Sequence, residues 1–261
     1  MSIDEGHDFQ PEWLKLVAQM VDPETNSLLV LYDDAQNLYG ENGKKKFSFK
    51  SVGIRAQGRT TILKINYRNT AQVLTLAYEF AKEVMIPAEA QEDDAPVLVQ
   101  PQSAGRSGSL PELVRLPSFK QETEYLSERV QQLHERGTPW NEMAIVYRSK
   151  FMGEQIHRLL QQAQVPVEWV NKNTASRSYQ PDDKSIKLMT MHSSKGLEFP
   201  VVFIPGVGYL PNHYSTPASE ARLLYVAMTR SIDRLILTYH QDSDFTTRIQ
   251  TALESVALRA S

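Results

Sequence analysis

Five short groups of side chains in this sequence have the types and spacing that chemistry requires. Asp4 and Glu5 stand side by side near the start. Adjacent carboxylates at the end of an apolar strand can divide two tasks, one holding a hydrated divalent cation, the other orienting and deprotonating a water. A second polar turn, Asp33-Asp34-Ala35-Gln36, closes the apolar run 28–32. An amide there donates and accepts at once, so it can sense a phosphate or a nucleophilic water. Tyr67-Arg68 joins an aromatic face that can stack on a purine to a guanidinium that can grip a phosphate through two parallel N–H bonds. Thr190, His192, Ser193, Ser194, Lys195 and Gly196 form a polar turn ahead of Glu198. Exposed backbone N–H groups and one cation suit a phosphate, and a carboxylate suits a ribose hydroxyl. Arg222 and Arg230 lie a little over two helical turns apart and can share a face. Arg230 either steadies the helix C-terminus as a cation or reaches across to a nucleotide as an arginine finger. Standing alone, each group has a plainer reading: helix capping, a type I turn, a solvated surface pair, a loop between core strands.

The elements that must position these groups follow from periodicity. Residues 186–207 read as strand, polar turn, strand. The run Val201, Val202, Phe203, Ile204 is continuously apolar, as in a strand buried on both faces of a parallel sheet. Upstream, Trp13, Leu14, Leu16, Val17 and Met20 recur at helical spacing, with Asp8 as the expected N-cap, Pro11 in the first turn and Asp22-Pro23 as the stop. A short strand is expected at 28–32 and another at 60–65. Residues 41–59 are basic and weakly periodic. Thr70 is placed to cap a helix carrying Val73, Leu74, Ala77, Phe80, Ala81 and Val84. Residues 86–111 hold prolines, acids and Gly-Ser punctuation, the best domain boundary in the chain. Beyond it helices and strands alternate: a helix from Ser118 to about 136, strand 143–147, helix 152–163, strand 165–170, the two strands of 186–207, helix 218–229, strand 234–239 and helix 245–258. Residues 171–184 form a polar loop. The alternation predicts an α/β fold with a parallel, doubly wound sheet.

Composition narrows the function classes. The chain has 261 residues, 41% of them apolar, which is enough for a substantial core. The net charge of −3 advertises no nucleic-acid binding in bulk, so any such surface must be local. There is no cysteine, which removes disulfides and thiolate metal sites and fits a reducing, cytoplasmic setting. No run approaches the ~18 apolar residues of a membrane span, so no membrane partner is expected.

The order of the groups says more than any one of them. IDEGHDF, YDDAQNLYG, NYRNT, LMTMHSSKGLEFPVVF and EARLLYVAMTR, in that sequence, resemble motifs II to VI of the superfamily 1 DNA helicases of the UvrD/Rep/PcrA type. The resemblance covers nearly the whole chain, and its last two motifs are the most specific. It implies a RecA-like P-loop NTPase fold. Residues 1–85 would be the C-terminal part of a first motor domain, 86–117 a linker, and 118–261 a complete second motor domain. It further implies ATP and Mg²⁺ as cofactors and single-stranded DNA or a DNA fork as partner. In that family Asp4 would coordinate Mg²⁺, Glu5 would be the base for the attacking water, and Gln36 would contact the γ-phosphate. Tyr67 would stack on adenine, Arg68 would meet the γ-phosphate, Glu198 would bond the ribose, and Arg230 would be the arginine finger. Tyr39 matches a residue near the DNA bases. Thr190, His192 and Lys195 lie where the family touches the single strand or couples it to ATP.

Three departures qualify the expectation. His7 stands where relatives usually carry Gln, and Glu41-Asn42 stand where an aromatic–Arg pair usually follows Tyr39-Gly40. No GxxxxGK[ST] occurs, so the phosphate cradle is expected in an upstream first motor domain, and the chain alone is expected to be inactive. The alternative from another class is a non-catalytic, helicase-like module that binds nucleotide or protein. A nuclease built on Asp4, Glu5, Asp33 and Asp34 lacks the further spacing such a site needs.

Overall fold

The structure is a computed structural model and describes residues 1–32, 48–61, 65–85, 102–170 and 183–260. Gln36 and Tyr39 lie outside the described residues. In the first stretch, β1 (Ser2–Ile3) pairs in parallel with β2 (Leu29–Val30), and α1 (Pro11–Met20) connects them. Ile3, Leu14 and Val52 form a small buried cluster under them. Pro11 opens α1 as expected, but the residue ahead of it is Gln10, with no side-chain cap. Asp8 does not cap the helix; it ends a tight turn, Gly6–Asp8, and its carboxylate is used elsewhere.

A second two-stranded parallel pair joins β3 (Ile65–Asn66) to β4 (Gln102–Ser103). Between them runs α2 (Ala71–Met85). Thr70 precedes α2 and accepts Leu74 N–H through its carbonyl rather than its hydroxyl.

The rest is built on six parallel strands. They are β5 (Glu112–Arg115), β6 (Met143–Tyr147), β7 (Val167–Trp169), β8 (Ile186–Thr190), β9 (Phe199–Ile204) and β10 (Ser231–Tyr239). Their order is β5-β10-β9-β6-β8-β7. Strands β8 and β9 flank the polar turn yet are not neighbours, because β6 lies between them. The four remaining helices are α3 (Phe119–Glu135), α4 (Lys150–Gln162), α5 (Pro217–Met228) and α6 (Asp244–Ala260). Ser118 caps α3, its hydroxyl accepting Gln121 N–H at 3.3 Å.

Strand alternation explains the two layers. Met143, Ile145, Tyr147, Leu188, Val201 and Phe203 face α3 and α4, while Ala144, Val146, Met189, Val202 and Ile204 face α2, α5 and α6. With both faces covered, the strands read as unbroken apolar runs, as a doubly wound RecA-like sheet requires. Helix α2 reaches the helices that cover the sheet. It packs on α5 and α6, with Phe80 edge-on to Phe245 at 5.2 Å and Arg248 donating to Phe80 O. The 86–117 segment contributes β5 as an edge strand of the sheet.

At the carboxyl ends of β9 and β10, buried Glu122 of α3 accepts Gly206 N–H at 2.8 Å and the Thr238 hydroxyl, and His240 Nδ1 lies 2.6 Å away. Phe119, Phe151, Tyr209 and His240 pack edge to face over it.

Candidate functional site

In a parallel sheet every strand ends at one rim, and ligands collect where connections diverge there. The turn after β8 sits on that rim. Thr190 Oγ1 accepts Ser193 N–H at 3.1 Å and lies 2.8 Å from Ser193 Oγ, so its hydroxyl shapes the turn from inside. Ser194 is buried and donates to Met191 O at 2.8 Å. Gly196 takes φ 77°, a left-handed conformation that glycine adopts without strain. His192 is thereby left at the surface, while Lys195, only 12% exposed, is turned inward.

Lys195 meets the first stretch. Its ammonium donates to Asp8 Oδ1, which lies 187 residues away in sequence. Around Asp8 the tight turn is closely fitted. A Cβ on Gly6 would meet Val30 Cγ1 at 2.8 Å, so β2 presses on a position only glycine can fill. Glu5 adopts φ 51°, ψ 39°, uncommon for a residue with a side chain and costing on the order of 1 kcal/mol. That backbone turns the Glu5 carboxylate to within 2.9 Å of the buried His7 Nε2, whose ring meets Tyr32 edge-on. Asp4 is exposed, and its Oδ1 accepts Glu5 N–H at 2.9 Å. Its hard oxygen donors suit Mg²⁺, and its exposure leaves room for the waters that ion retains. Glu5, His7 and Asp8 together offer three donor atoms within 4.8 Å of one another.

A second contact joins the Tyr67-Arg68 turn to the same region. Arg68 pairs with Glu198 at 2.7 Å, and Tyr67 stands largely exposed beside it. Asn69 anchors this turn: its Nδ2 donates to Thr229 O at 2.8 Å and Ser231 O at 2.6 Å. Arg230 lies between those two carbonyls in the chain, at 4% exposure. Its Nε donates to Val226 O at 3.0 Å and its other nitrogens reach Leu197 O and Thr229 Oγ1. In this conformation Arg230 closes the end of α5 rather than projecting from it.

Arg148, which follows β6 directly, was not among the groups singled out from the sequence. It grips Glu220, 2% exposed in the first turn of α5, through bonds of 2.7, 2.9 and 3.2 Å. The signal available was its position, a guanidinium immediately after the fully apolar run of β6, as Arg68 follows β3. Partial desolvation holds the His192 pKa below the usual imidazole value; the Arg148 charge lowers it further, and Glu220 opposes. Thus Asp4, Glu5, His7, Asp8 and Lys195 form one group, Arg68 and Glu198 a second, and Arg148, Glu220 and His192 a third.

Comparisons with known proteins now carry a name. A family model described as the UvrD-like helicase C-terminal domain matches residues 61–175 and 170–242. DNA helicase II of Escherichia coli K12 is 38% identical over 96 residues, 29% of this chain and 13% of that protein. A probable DNA helicase of Mycoplasma pneumoniae is 26% identical over 246 residues, 90% of this chain and 42% of that protein. The chain therefore spans less than half the length of these relatives. The crystal structure of the C-terminal domain of a possible DNA helicase from Lactobacillus plantarum WCFS1 shares the fold, with a TM-score of 0.52 at 19% identity over 72% of this chain and 96% of that one. Among the described residues no helix is long and apolar enough to cross a membrane. With the family match spanning 61–242 on a six-stranded parallel sheet, this chain belongs to the UvrD-like helicase C-terminal domain family.

Proposed function

We propose that this chain is part of an ATP-dependent DNA helicase, in which ATP hydrolysis drives movement along single-stranded DNA. The observation that supports it best is the meeting of two distant turns: the Asp4–Glu5 turn joins Lys195, while Arg68 joins Glu198 at the same rim. Mg²⁺ would supply neutralisation of phosphate charge when bound. Asp4 would hold it. Glu5 would orient and deprotonate a water, Tyr67 would stack on the base, and Glu198 would accept the ribose hydroxyl after leaving Arg68. Arg68, so released, would meet phosphate charge. Arg230 would have to leave its bonds at the end of α5 to serve as an arginine finger. Gln36 and Tyr39 are proposed for the γ-phosphate and a DNA base. We also place α2 with the second motor unit, which would then begin near residue 65.

The phosphate cradle is proposed to come from a further segment carrying GxxxxGK[ST]. The chain as given should therefore bind single-stranded DNA and a fluorescent ATP analogue weakly, with DNA-stimulated turnover far below about 1 s⁻¹, the low end for enzymes. Steady-state phosphate release with and without a dT oligonucleotide tests this. Turnover at or above that rate would sink the inactive-alone reading; no binding of either ligand would sink the assignment itself.

A further inference from the structure

The turn holding the paired carboxylates and the turn holding Lys195 are linked by side chains. Glu5 Oε2 lies 2.9 Å from His7 Nε2, His7 Nε2 lies 4.0 Å from Asp8 Oδ1, and that same oxygen receives the Lys195 ammonium. Acid, imidazole, acid and cation thus run in a line from one turn to the other. Its imidazole and its ammonium are sheltered, the His7 side chain 2% exposed and Lys195 12%, while the Glu5 and Asp8 carboxylates are 45% and 35% exposed. A lysine withdrawn this far from water needs an anion to replace its hydration. Among the described residues, Glu198 is engaged by Arg68 and Glu220 by Arg148. Asp8 itself is free of the task its position suggests, since α1 starts three residues later, at Pro11, without a side-chain cap. Its carboxylate serves Lys195 instead.

We infer that Asp8 competes with a phosphate of single-stranded nucleic acid for Lys195, so that this ion pair is a latch released when a strand arrives. The inference rests on the single-strand binding proposed above. The exchange is one anion for another at a single ammonium, with no covalent step. Its consequence lies at the far end of the line: once Lys195 turns to a phosphate, Asp8 loses its cation, and the charge beside His7 and Glu5 changes. Asp8 is a positioning residue, acting on the strand through Lys195 and on Glu5 through His7.

The experiment measures fluorescence anisotropy of a labelled dT oligonucleotide with the full chain at low salt. A partly sheltered ion pair offsets strand binding by up to about 1 kcal/mol, so Asp8→Asn should bind roughly two- to fivefold tighter than wild type. Lys195→Ala should erase that gain in the Asp8→Asn background, and Asp8→Glu should restore wild-type affinity. A purely structural Asp8 would show none of this pattern. In wild type, the Lys195 ammonium signal in ¹⁵N-lysine spectra should move when dT is added, a readout that stands even where Asp8→Asn does not fold. Equal or weaker binding by a folded Asp8→Asn, a gain that survives Lys195→Ala, or an unmoved ammonium signal with dT bound would each overturn the latch alone. Absence of dT binding by wild type would overturn the helicase reading and the latch with it.

Discussion

Two regions of this chain solve the burial problem to different degrees. The six-stranded sheet is covered on both faces, and β6 is buried at all five positions. The first stretch has strands of two residues, a described core of Ile3, Leu14 and Val52, and an α1 face on which Trp13, Leu16 and Met20 stay exposed. The lesson is a division of roles: one region supplies a rigid rim, and the other is held against it by polar contacts such as Asp8–Lys195.

The sharpest way to break that comparison is to excavate both cores. Phe203→Ala should lower the stability of the main unfolding transition by about 3–5 kcal/mol, read by denaturant melts followed by far-UV circular dichroism. Leu14→Ala should leave that transition in place and raise hydrogen exchange only in the first thirty residues or so. Equal effects would mean the two regions unfold as one. Next, Glu220→Gln strands the Arg148 guanidinium and should cost about 3 kcal/mol in the same melt, because breaking one side of a buried pair leaves a charge uncompensated. A loss below about 1 kcal/mol would show that the pair is solvated.

Smaller effects sharpen the picture. Arg68→Ala removes a pair whose cation is 69% exposed, so stability should change by no more than about 1 kcal/mol. Adenine-nucleotide affinity should nonetheless fall, and a titration with a fluorescent ATP analogue checks it. The least effect is that of His192. Its folded pKa lies below its unfolded value of about 6.5, so its neutral form favours folding. That contribution is complete above the unfolded pKa and is lost as pH falls toward the folded one. His192→Gln should flatten the dependence of melting temperature on pH below about 6.5, and an unchanged slope would remove His192 as its source.

Local pattern carried much of this architecture. The strand at 143–147, the helix beginning after Ser118 and the strands bracketing the polar turn all lie where apolar runs and capping residues predict them. What the sequence left hidden is non-local. Nothing in 186–207 tells that β6 inserts between its two strands, since parallel register is set by distant partners. Strand β5 is short, carries Glu112 and Arg115 at its ends, and follows a proline-rich stretch, so it has no apolar signature. The apolar face of α2 is obvious, but the faces it meets, α5 and α6, lie far along the chain. Asp8 misled for a related reason. An acid just before a helix is normally a cap, and only the fold reveals a sheltered lysine competing for it. Arg148 was missed because its buried partner lies 72 residues away.

The Glu122 junction gives the rim two characters. Where β9 and β10 end, one carboxylate ties helix α3 to both strands under a lid of aromatic rings. Where β6 and β8 end, charged and hydroxyl side chains line an unsealed turn. One half of the edge is thereby sealed for folding, and the other is the half proposed for recognition. A lineage could rewrite residues 192–198 to suit a new ligand without loosening the half that keeps the sheet closed. Changes at Glu122 would be felt first as lost protein, and only then as lost activity.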